Sequence, residues 1–535
     1  MIKRGKIFFA TILLFVLIGF ASATDYYVDK DSIGGTCSDS NTGTSLTQPF
    51  CTIHKGESVT MPGDTVYIRS GTYFELSGIS LGSGDRGTLN INRGGSPGNP
   101  ITYTRYPGDP MPNITGNSLT YAVVIGASYI TLDSLDVSNG YRGITLAATG
   151  SSDITIRNSH IHNVAGSTGG NNNGGIVGGI FGGVAYGMFN NVLIENNEIH
   201  DNRDPSCFSG TGAGIEFYGL NNSIIRNNHI YNEHGGIWLK SHDSNSKIYN
   251  NTIHNVGEGI YHFGEPMNLD IFDNVIYSFS ENALGSRQSS STTYLPGQNI
   301  RYFNNIVLGD GLHHTFYQVV TNGSRVYNNI FYYGNRGACT AGSESGELTD
   351  RESGTATNFF EGNNLLYHPT NNQHFCWDGA LYTLTGWRSY WDGAGGNPTN
   401  GDGSIEGDPL FISTDPANSN FLRPASNSPV IDNGTFIPGF HCALSDSNGG
   451  SSLTDCRHWS GLAPDIGRYE YVSGVASNSP DVNSDGKVNV IDLVLVIRWQ
   501  GRNSGDIDWN NYKHLDVNKD NRTNMSDINV VITNM

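Results

Sequence analysis

A short segment that ends in asparagine or aspartate recurs along the middle of the chain and constrains its fold more than any other feature. Each copy alternates apolar and polar residues before the closing residue, as in residues 153–158 and 245–250. This alternation is typical of short strands, and asparagine tolerates the left-handed turn that would end each strand. The closing residues are Asn158, Asn196, Asn227, Asn250, Asp273, Asn304, Asn328 and Asn363.

The spacing of the closing residues predicts a solenoid. The shortest intervals, from residue 227 to 250 and from 250 to 273, are 23 residues, and the other intervals are longer. A constant minimum with a variable excess is expected when each repeat is one coil of a parallel β-helix with inserted loops. Stacked asparagine side chains could then hydrogen-bond from coil to coil. The main body of the chain is therefore predicted to be all-β.

Both ends of this region resemble secreted right-handed parallel β-helix proteins of the pectate-lyase-like class. The resemblance rests on residues 26–29, 49–53, 62–69 and 71–73 at the start and 408–411, 428–432 and 464–467 at the end. It implies a right-handed parallel β-helix, a solenoid, over residues 24–471. The class includes polysaccharide lyases and non-catalytic surface proteins, so the fold alone leaves the reaction open.

The end of the chain holds two copies of a calcium-loop pattern, at residues 481–492 and 516–527. Oxygen-bearing side chains at positions 1, 3, 5, 9 and 12, with the backbone carbonyl of position 7, let a short loop wrap a hard cation. Each loop runs into an apolar segment that predicts a short helix. We expect two bound Ca²⁺ ions and calcium-dependent folding. The predicted ligands are Asp481, Asn483, Asp485, Lys487, Asn489, Asp492, Asp516, Asn518, Asp520, Arg522, Asn524 and Asp527.

The paired loops resemble a type I dockerin, a small all-α calcium-binding module that attaches proteins to cohesin-bearing scaffolds. Asp492 and Asp527 stand at position 12, where ordinary EF-hands have glutamate and dockerins have aspartate. The preceding pairs, residues 490–491 and 525–526, depart from the Ser/Thr residues with which many dockerins contact their partner. The resemblance implies a dockerin-like domain over residues 481–535, a cohesin-type scaffold protein as partner, and residues 472–480 as the linker.

The start of the chain indicates a secreted protein, and its charge bears on the partners. Residues 1–23 combine basic residues, an apolar run and a small-residue cleavage site, as a signal peptide does. No later stretch is apolar enough to span a bilayer. The formal net charge of −19 argues against nucleic acid as a partner, although bound calcium could still bring in an acidic polysaccharide. We expect an extracellular monomer.

The seven cysteines fit an oxidising compartment. Equal spacings predict local disulfides between Cys37 and Cys51 and between Cys442 and Cys456. A third pair, Cys339 with Cys376, would leave Cys207 as a buried free thiol.

Long insertions on both sides of two minimal coils predict a groove. Residues 166–187 and 203–212 precede these coils, and residues 281–298 and 337–357 follow them. Loops from neighbouring coils would wall a groove whose floor is the short coils at 227–273, and function concentrates on loops over a rigid scaffold.

Three Gly-Ile pairs, at residues 214–215, 236–237 and 259–260, align the strands of this floor. Strand alternation places the isoleucines in the core. Glu216, Trp238 and Tyr261 would then form one outward column, and Tyr218, Lys240 and Phe263 the next. Aromatic faces suit sugar rings, so the predicted substrate-binding residues are Trp238, Tyr218, Phe263 and the adjacent His234. A solvated sheet face with ordinary aromatic stacking is the alternative.

Residues 233–241 resemble the floor of the lyase family that contains chondroitinase B and β-helical alginate lyases. In that family a carboxylate binds calcium and a lysine seven residues later is the base, which implies these roles for Glu233 and Lys240 and a calcium ion at the groove. This chain departs from the family in two places: Tyr261 stands where the family has arginine, and Gly235 replaces a second carboxylate. The family has a histidine after this arginine, and His262 stands at the corresponding position.

The implied reaction is β-elimination on an acidic, uronate-containing polysaccharide. Calcium would stabilise the enolate-like intermediate, Lys240 would remove the C5 proton, and Tyr261 or His262 would protonate the leaving oxygen. His262 alternates inward in the strand pattern and could equally be a core residue. A glycoside hydrolase, which needs two carboxylates, is the first alternative. The candidate carboxylate pairs are Glu216 with Glu233, or Glu258 with Asp201 or Asp204. A non-catalytic carbohydrate-binding or surface-assembly protein is the second.

Overall fold

The structure of the chain is a computed structural model. It describes residues 23–75, 87–117, 120–147, 151–164, 174–179, 188–202, 212–240, 242–263, 266–287, 297–318, 321–334, 348–350, 358–377, 379–393, 400–438, 440–441, 457, 459, 462–471, 482, 488, 490–503, 515–517 and 522–534. The predicted signal peptide up to residue 22, the linker and most of the four long insertions lie outside these ranges.

Short strands account for most of the regular structure of the described residues. In chain order they are β1 (Asp25–Val28), β2 (Thr65–Ile68), β3 (Thr72–Tyr73), β4 (Gly87–Ile91), β5 (Ile101–Arg105), β6 (Asn113–Thr115), β7 (Tyr121–Ile125), β8 (Ile130–Asp133), β9 (Asp136–Ser138), β10 (Ile144–Leu146), β11 (Ser152–Arg157), β12 (His160–His162), β13 (Gly174–Gly178), β14 (Phe189–Glu195), β15 (Glu198–His200), β16 (Ala213–Phe217), β17 (Leu220–Asn221), β18 (Ile224–Arg226), β19 (His229–Lys240), β20 (Lys247–Tyr249), β21 (Thr252–Phe263), β22 (Asp270–Phe272), β23 (Val275–Phe279), β24 (Asn282–Arg287), β25 (Gly297–Gln298), β26 (Arg301–Phe303), β27 (Ile306–Leu308), β28 (His314–Gln318), β29 (Thr321–Asn322), β30 (Arg325–Tyr327), β31 (Ile330–Tyr332), β32 (Leu348–Asp350), β33 (Phe360–Gly362), β34 (Leu365–Tyr367), β35 (Gln373–Trp377), β36 (Ala380–Thr383) and β37 (Ile405–Glu406). The described helices are α1 (Ile53–Val59), α2 (Leu384–Gly393), α3 (Val490–Arg498) and α4 (Met525–Asn534).

The strands stack into three parallel faces. Face one is the sheet β1-β2-β5-β8-β11-β14-β18-β20-β22-β26-β30-β33. The long strands β19 and β21 turn a corner: their first residues pair along face two with β9, β12, β15, β23 and β27. Their last residues pair along face three with β13, β16, β24 and β28. This is the predicted parallel β-helix; of the described strands, β35 and β36 pair antiparallel.

The closing residues of the repeat end the strands of face one with left-handed backbone. Asn158, Asn227, Asn250 and Asn363 have φ values of 52°, 57°, 57° and 53°. Asparagine is one of the few residues that adopt this conformation without a large steric cost. The sequence prediction for these positions is confirmed.

From Asn196 onward, the residue after each closing position is a member of a buried asparagine ladder. The side-chain oxygen of each member accepts the backbone N–H of the member one coil before it, at 2.8 to 3.1 Å. The side-chain amides donate to the next oxygen and to interior carbonyls, so the turns inside the coil stack keep their hydrogen bonds. The members are Asn197, Asn228, Asn251, Asn274, Asn305, Asn329 and Asn364.

The core of the β-helix is a continuous column of aliphatic side chains. Ile215, Ile237 and Ile260, the isoleucines of the Gly-Ile pairs, are fully buried in it, as predicted. The glycines are required at this corner, because a Cβ added to Gly236 would lie 2.7 Å from the carbonyl oxygen of Gly259.

Helix α1 packs beside the first coils, and Thr52 caps it by accepting the backbone N–H of Lys55. Cys37 and Cys51 form the predicted disulfide. Cys376 is also disulfide-bonded. Cys207, Cys339, Cys442 and Cys456 lie outside the described residues, so the other pairings stay predictions.

Two short helices at the end of the chain form a separate apolar cluster. Val496 of α3 and Ile528 and Val531 of α4 pack with Leu515 and Val517. An antiparallel bridge joins Asn503 to Arg522. None of the described helices has both the length and the apolar character that crossing a membrane requires.

Candidate functional site

An ion pair on face three is the centre of the predicted groove floor. Lys240 Nζ lies 2.9 Å from Glu216 Oε1. Glu216 is fully buried in β16, and the side chain of Lys240, at the end of β19, is 14% exposed. Burial of a carboxylate next to an ammonium limits solvent screening, so the two charges interact more strongly than a surface pair would.

Three aromatic rings surround the Lys240 ammonium. Its nitrogen lies 4.5 Å from the Trp238 ring centroid and 5.6 Å from the ring centroids of Tyr218 and Phe263. Each ring presents its electron-rich face to a cation within the usual cation–π range. Lys240 is therefore held by one carboxylate and by an aromatic cage.

The strand register confirms the first predicted column and the Lys240–Phe263 part of the second. Glu216 pairs with Trp238, which pairs with Tyr261, and Lys240 pairs with Phe263. The first column points away from the core, as predicted, but other residues cover it. Glu216, Trp238 and Tyr261 are buried, with Trp238 and Tyr261 packed against Tyr317. The partly exposed members of the predicted site are Tyr218, Lys240, Phe263 and His234.

His262 lies on the inner side of its strand. It is 2% exposed, and its Nε2 lies 2.5 Å from the Tyr302 hydroxyl inside the coil stack. Burial lowers the pKa of His262 to about 3. The suggested catalytic role of His262 does not fit this position, and the alternative that it is a core histidine does.

Glu233 is also an interior residue. It lies within β19 and is fully buried. Its carboxylate accepts hydrogen bonds from the backbone N–H and side-chain amide of Asn202, the latter at 2.7 Å. Its strand partner, Val256, belongs to the core. The expected calcium-binding or catalytic role of Glu233 at the groove is therefore corrected to a structural one.

The remaining candidates are spread over the molecule. The His234 ring packs edge-on against Trp238, with centroids 5.4 Å apart. Glu258 is buried on β21, whereas Asp201 lies beyond face two and pairs with His200. Asp204 lies outside the described residues. The structure thus does not bring the alternative pair Glu258 and Asp201 onto one face.

The predicted calcium ligands are described in part. Asp492 and Asp527, at position 12 of the loops, are fully buried in the first turns of α3 and α4, and Asp516 is 5% exposed. Buried carboxylates at this spacing suit a hard divalent cation, which prefers oxygen ligands. Arg522 and Asn524 are also described. Asp481, Asn483, Asp485, Lys487, Asn489, Asn518 and Asp520 lie outside the described residues.

The sequence analysis missed a row of histidines on face two. Placed four residues after the closing positions, these histidines stack with two tyrosines in the order His162, His200, Tyr231, His254 and Tyr277. An alignment of the repeats on their closing asparagines would have shown this row. A groove of about 330 Å³ adjoins its last members and is lined on the far side by Phe421, Arg423, Arg468 and Tyr469.

The fold and the terminal helices define a parallel β-helix protein with a small helical module. Comparison with family models agrees. Residues 32–219 match the model described as "Pel9A-like, right handed beta helix region". Residues 479–535 match the dockerin type I domain. The chain is therefore a right-handed β-helix followed by a dockerin type I domain, as the sequence predicted.

Several solved structures are similar to this chain at low sequence identity. Pectate lyase Pel9A is 14% identical, with 84% of this chain and 97% of that chain covered and a TM-score of 0.45. A GH136 lacto-N-biosidase from Eubacterium ramulus is 15% identical, with 63% and 65% covered and a TM-score of 0.38. The match thus spans 65% of the length of the lacto-N-biosidase. An alginate lyase from Paenibacillus sp. str. FPU-7 is 13% identical, with 62% and 99% covered and a TM-score of 0.40. Comparison with curated protein sequences gave no match.

Proposed function

We propose that this chain is a secreted polysaccharide lyase that cleaves an acidic, uronate-containing polymer by β-elimination and is attached to a cohesin-bearing scaffold by its dockerin domain. The observation that carries the proposal is the ion pair of Lys240 with Glu216 inside an aromatic cage on face three. The match of residues 32–219 to a Pel9A-like β-helix supports it.

Lys240 is the base in this proposal. An ammonium cannot remove a proton, but Glu216 Oε1 lies 2.9 Å from Lys240 Nζ and can accept one. In the substrate complex, where the bound sugar would cover the exposed side of Lys240, proton transfer across this ion pair would leave a neutral amine and a neutral carboxylic acid. The neutral amine then takes the C5 proton of the uronate. Glu216 positions Lys240 and holds its proton.

Binding of the sugar uses the partly exposed rings around Lys240. Tyr218 and Phe263 lie on both sides of the ammonium and present apolar faces to a sugar ring. Tyr261 is fully buried, so we assign the protonation of the leaving oxygen to Tyr218, whose ring centroid lies 5.6 Å from Lys240 Nζ. Because Glu233 lies in the core, the proposal includes no calcium ion held by Glu233.

The dockerin domain attaches the protein to the scaffold in this proposal. We propose that its two loops each bind one Ca²⁺ and that the folded module binds a cohesin-type protein. The match of residues 479–535 to dockerin type I and the buried aspartates Asp492, Asp516 and Asp527 support this role. Secretion follows from the same proposal, because cohesin-bearing scaffolds work outside the cell.

A product screen over pectin, alginate, glycosaminoglycans and neutral polymers tests the reaction. The proposal predicts unsaturated products, seen by their ultraviolet absorbance, from an acidic polymer with the wild-type protein. Lys240→Ala should abolish them, and Lys247→Ala, which alters an exposed lysine on face one, should not. Reducing ends without the absorbance would select a glycoside hydrolase. Retention on a polysaccharide gel without any product would select a binding protein.

A further inference from the structure

A cluster of histidines and carboxylates lies on face two, apart from the proposed catalytic lysine on face three. Strands β9, β12 and β15 are neighbours there, with Asp136 paired to His160 and His160 paired to Glu198. His200 lies two residues after Glu198 on the same strand, so it points to the same side. Asp201 follows His200 directly.

Hydrogen bonds fix the tautomers of two of these histidines. Nδ1 of His200 lies 2.7 Å from Asp201 Oδ2, and Nδ1 of His160 lies 3.4 Å from Asp136 Oδ1. A carboxylate only accepts, so each Nδ1 carries the hydrogen. When the ring is neutral, its Nε2 then carries a lone pair and no hydrogen.

The two Nε2 atoms that carry these lone pairs are in direct contact. Nε2 of His160 and Nε2 of His200 are 2.7 Å apart. Two acceptors at this distance repel each other unless a positive charge lies between them. That charge is either a proton, which makes one ring an imidazolium, or a metal ion bound by both nitrogens.

A third ligand favours the metal ion. The ligand atoms of His160, Glu198 and His200 all lie within 4.8 Å of one another. The Tyr231 hydroxyl donates to Glu198 Oε1 at 2.8 Å and holds that carboxylate in place. Two imidazoles and one carboxylate are the ligand set of many zinc sites that keep a fourth position open for water.

We propose that His160, His200 and Glu198 bind one divalent transition-metal ion of the zinc type. Asp136 and Asp201 would act behind the ligands, each accepting the other ring N–H of a metal-binding histidine, as carboxylates do at known metal sites. With bonds of about 2.0–2.1 Å and tetrahedral angles, the two nitrogens would separate to roughly 3.3 Å. All three ligands are half-buried, so small rotations of the side chains provide this opening.

A neighbouring pair of histidines provides a matched control. Nε2 of His229 and Nε2 of His254 are 2.9 Å apart, in the same geometry on the next coils. Among the described residues, however, this pair belongs to no cluster of three metal-binding groups. The proposal assigns metal to the first pair and not to the second. His162 is also excluded, because its two nitrogens contact Asp136 and Asn163.

The test is a cobalt titration of the full-length chain after removal of metals with a chelator. Excess calcium is kept present so that the dockerin loops are saturated. Cobalt bound by two imidazoles and a carboxylate in a four-coordinate site absorbs strongly in the visible range, whereas cobalt bound by oxygens alone does not. We expect a band that saturates at one equivalent and is removed by zinc.

The variants locate the site. His200→Ala and Glu198→Gln should abolish the cobalt band, and His254→Ala should leave it unchanged. Asp201→Asn should weaken zinc binding by about 10–100-fold, as loss of a carboxylate behind a ligand does elsewhere. Zinc should also raise the melting temperature of the wild type and of His254→Ala but not of Glu198→Gln, which checks the site if His200→Ala folds poorly. Absence of the band in the wild type, meaning that a proton bridges the rings, would overturn the proposal. So would an undiminished band in His200→Ala or Glu198→Gln.

Discussion

Glu216 and Lys240 sit on neighbouring coils, and their charged atoms are 2.9 Å apart although Glu216 pairs in register with Trp238. The lysine side chain therefore extends diagonally across the strand pair, against the face of the Trp238 ring. The carboxylate that it contacts has no exposure to solvent. The pair links the stability of two coils to the proposed chemistry of face three.

Removal of Lys240 should destabilise the β-helix. Lys240→Ala leaves the Glu216 carboxylate buried without its cation, so we expect the free energy of unfolding to fall by about 3 kcal/mol. Adding Glu216→Gln should recover part of the loss, because the unpaired charge is then gone. Urea unfolding of both single variants and the double variant measures this coupling. Lys247→Ala, at an exposed position, should stay within about 0.5 kcal/mol of wild type. Additive effects of the two single substitutions would contradict the ion pair.

The asparagine ladder should be costly to interrupt. Asn251→Ala removes the oxygen that accepts both the backbone N–H and the side-chain amide of Asn228, and those donors are buried. We expect a loss of about 3 kcal/mol, because buried unpaired donors carry the full desolvation penalty. Asn255→Gly is the control, since Asn255 is exposed and its φ of 52° suits glycine. Equal unfolding midpoints for the two variants would show that the ladder does not contribute.

Acid should destabilise the β-helix through His262. Burial lowers the pKa of His262 to about 3 from 6.5, so below pH 6.5 the unfolded chain takes up a proton that the folded chain does not. Stability is thus full above pH 6.5 and is lost as the pH falls toward 3. His262→Gln keeps an acceptor for Tyr302 and removes this titration. Between pH 7 and pH 4.5 the wild type should lose about 3 kcal/mol more than the variant in urea unfolding. Parallel losses would be inconsistent with a buried neutral His262.

Calcium removal should unfold the C-terminal helices and leave the β-helix folded. The carboxylates of Asp516 and Asp527 are almost fully buried, so they repel one another when no cation is bound. In protein already freed of transition metals, a chelator should lower the helical circular dichroism signal without changing the melting of the strands. Asp516→Ala should weaken calcium uptake in calorimetry, and Ser526→Ala, which alters an exposed residue outside the predicted ligands, should not. Calcium heats identical to wild type in Asp516→Ala would contradict the predicted loop.

Local patterns in the sequence were sufficient to predict the fold. Left-handed turns favour asparagine, and side chains alternate between the two faces of a strand, so the closing residues and the isoleucine column could be predicted from the sequence. The buried state of Trp238 and Tyr261 could not, because alternation tells which side of a strand a residue faces but not what covers that side.

Glu233 shows a second limit. The sequence places a carboxylate seven residues before Lys240, and the resemblance of residues 233–241 to a lyase family implied that both belong to one site. Strand β19 turns a corner between the two residues, so they point into different environments. The position of a corner depends on how neighbouring coils pack, for example on the close approach of Gly236 and Gly259. The histidine cluster of face two was not predicted for a related reason: His160 and His200 lie on different strands and meet only when the coils stack.

The ladder also makes the position of each coil independent of the length of the preceding loop, two properties that most folds couple. Successive ladder members are 23 to 35 residues apart in the chain, yet their hydrogen bonds vary only between 2.8 and 3.1 Å. Whatever length of loop lies between two rungs, the next coil starts from the same hydrogen-bonded position. Loops around face three can therefore be lengthened, shortened or exchanged between proteins of this architecture without shifting the strands beneath them. This makes the scaffold suited to grafting new groove walls.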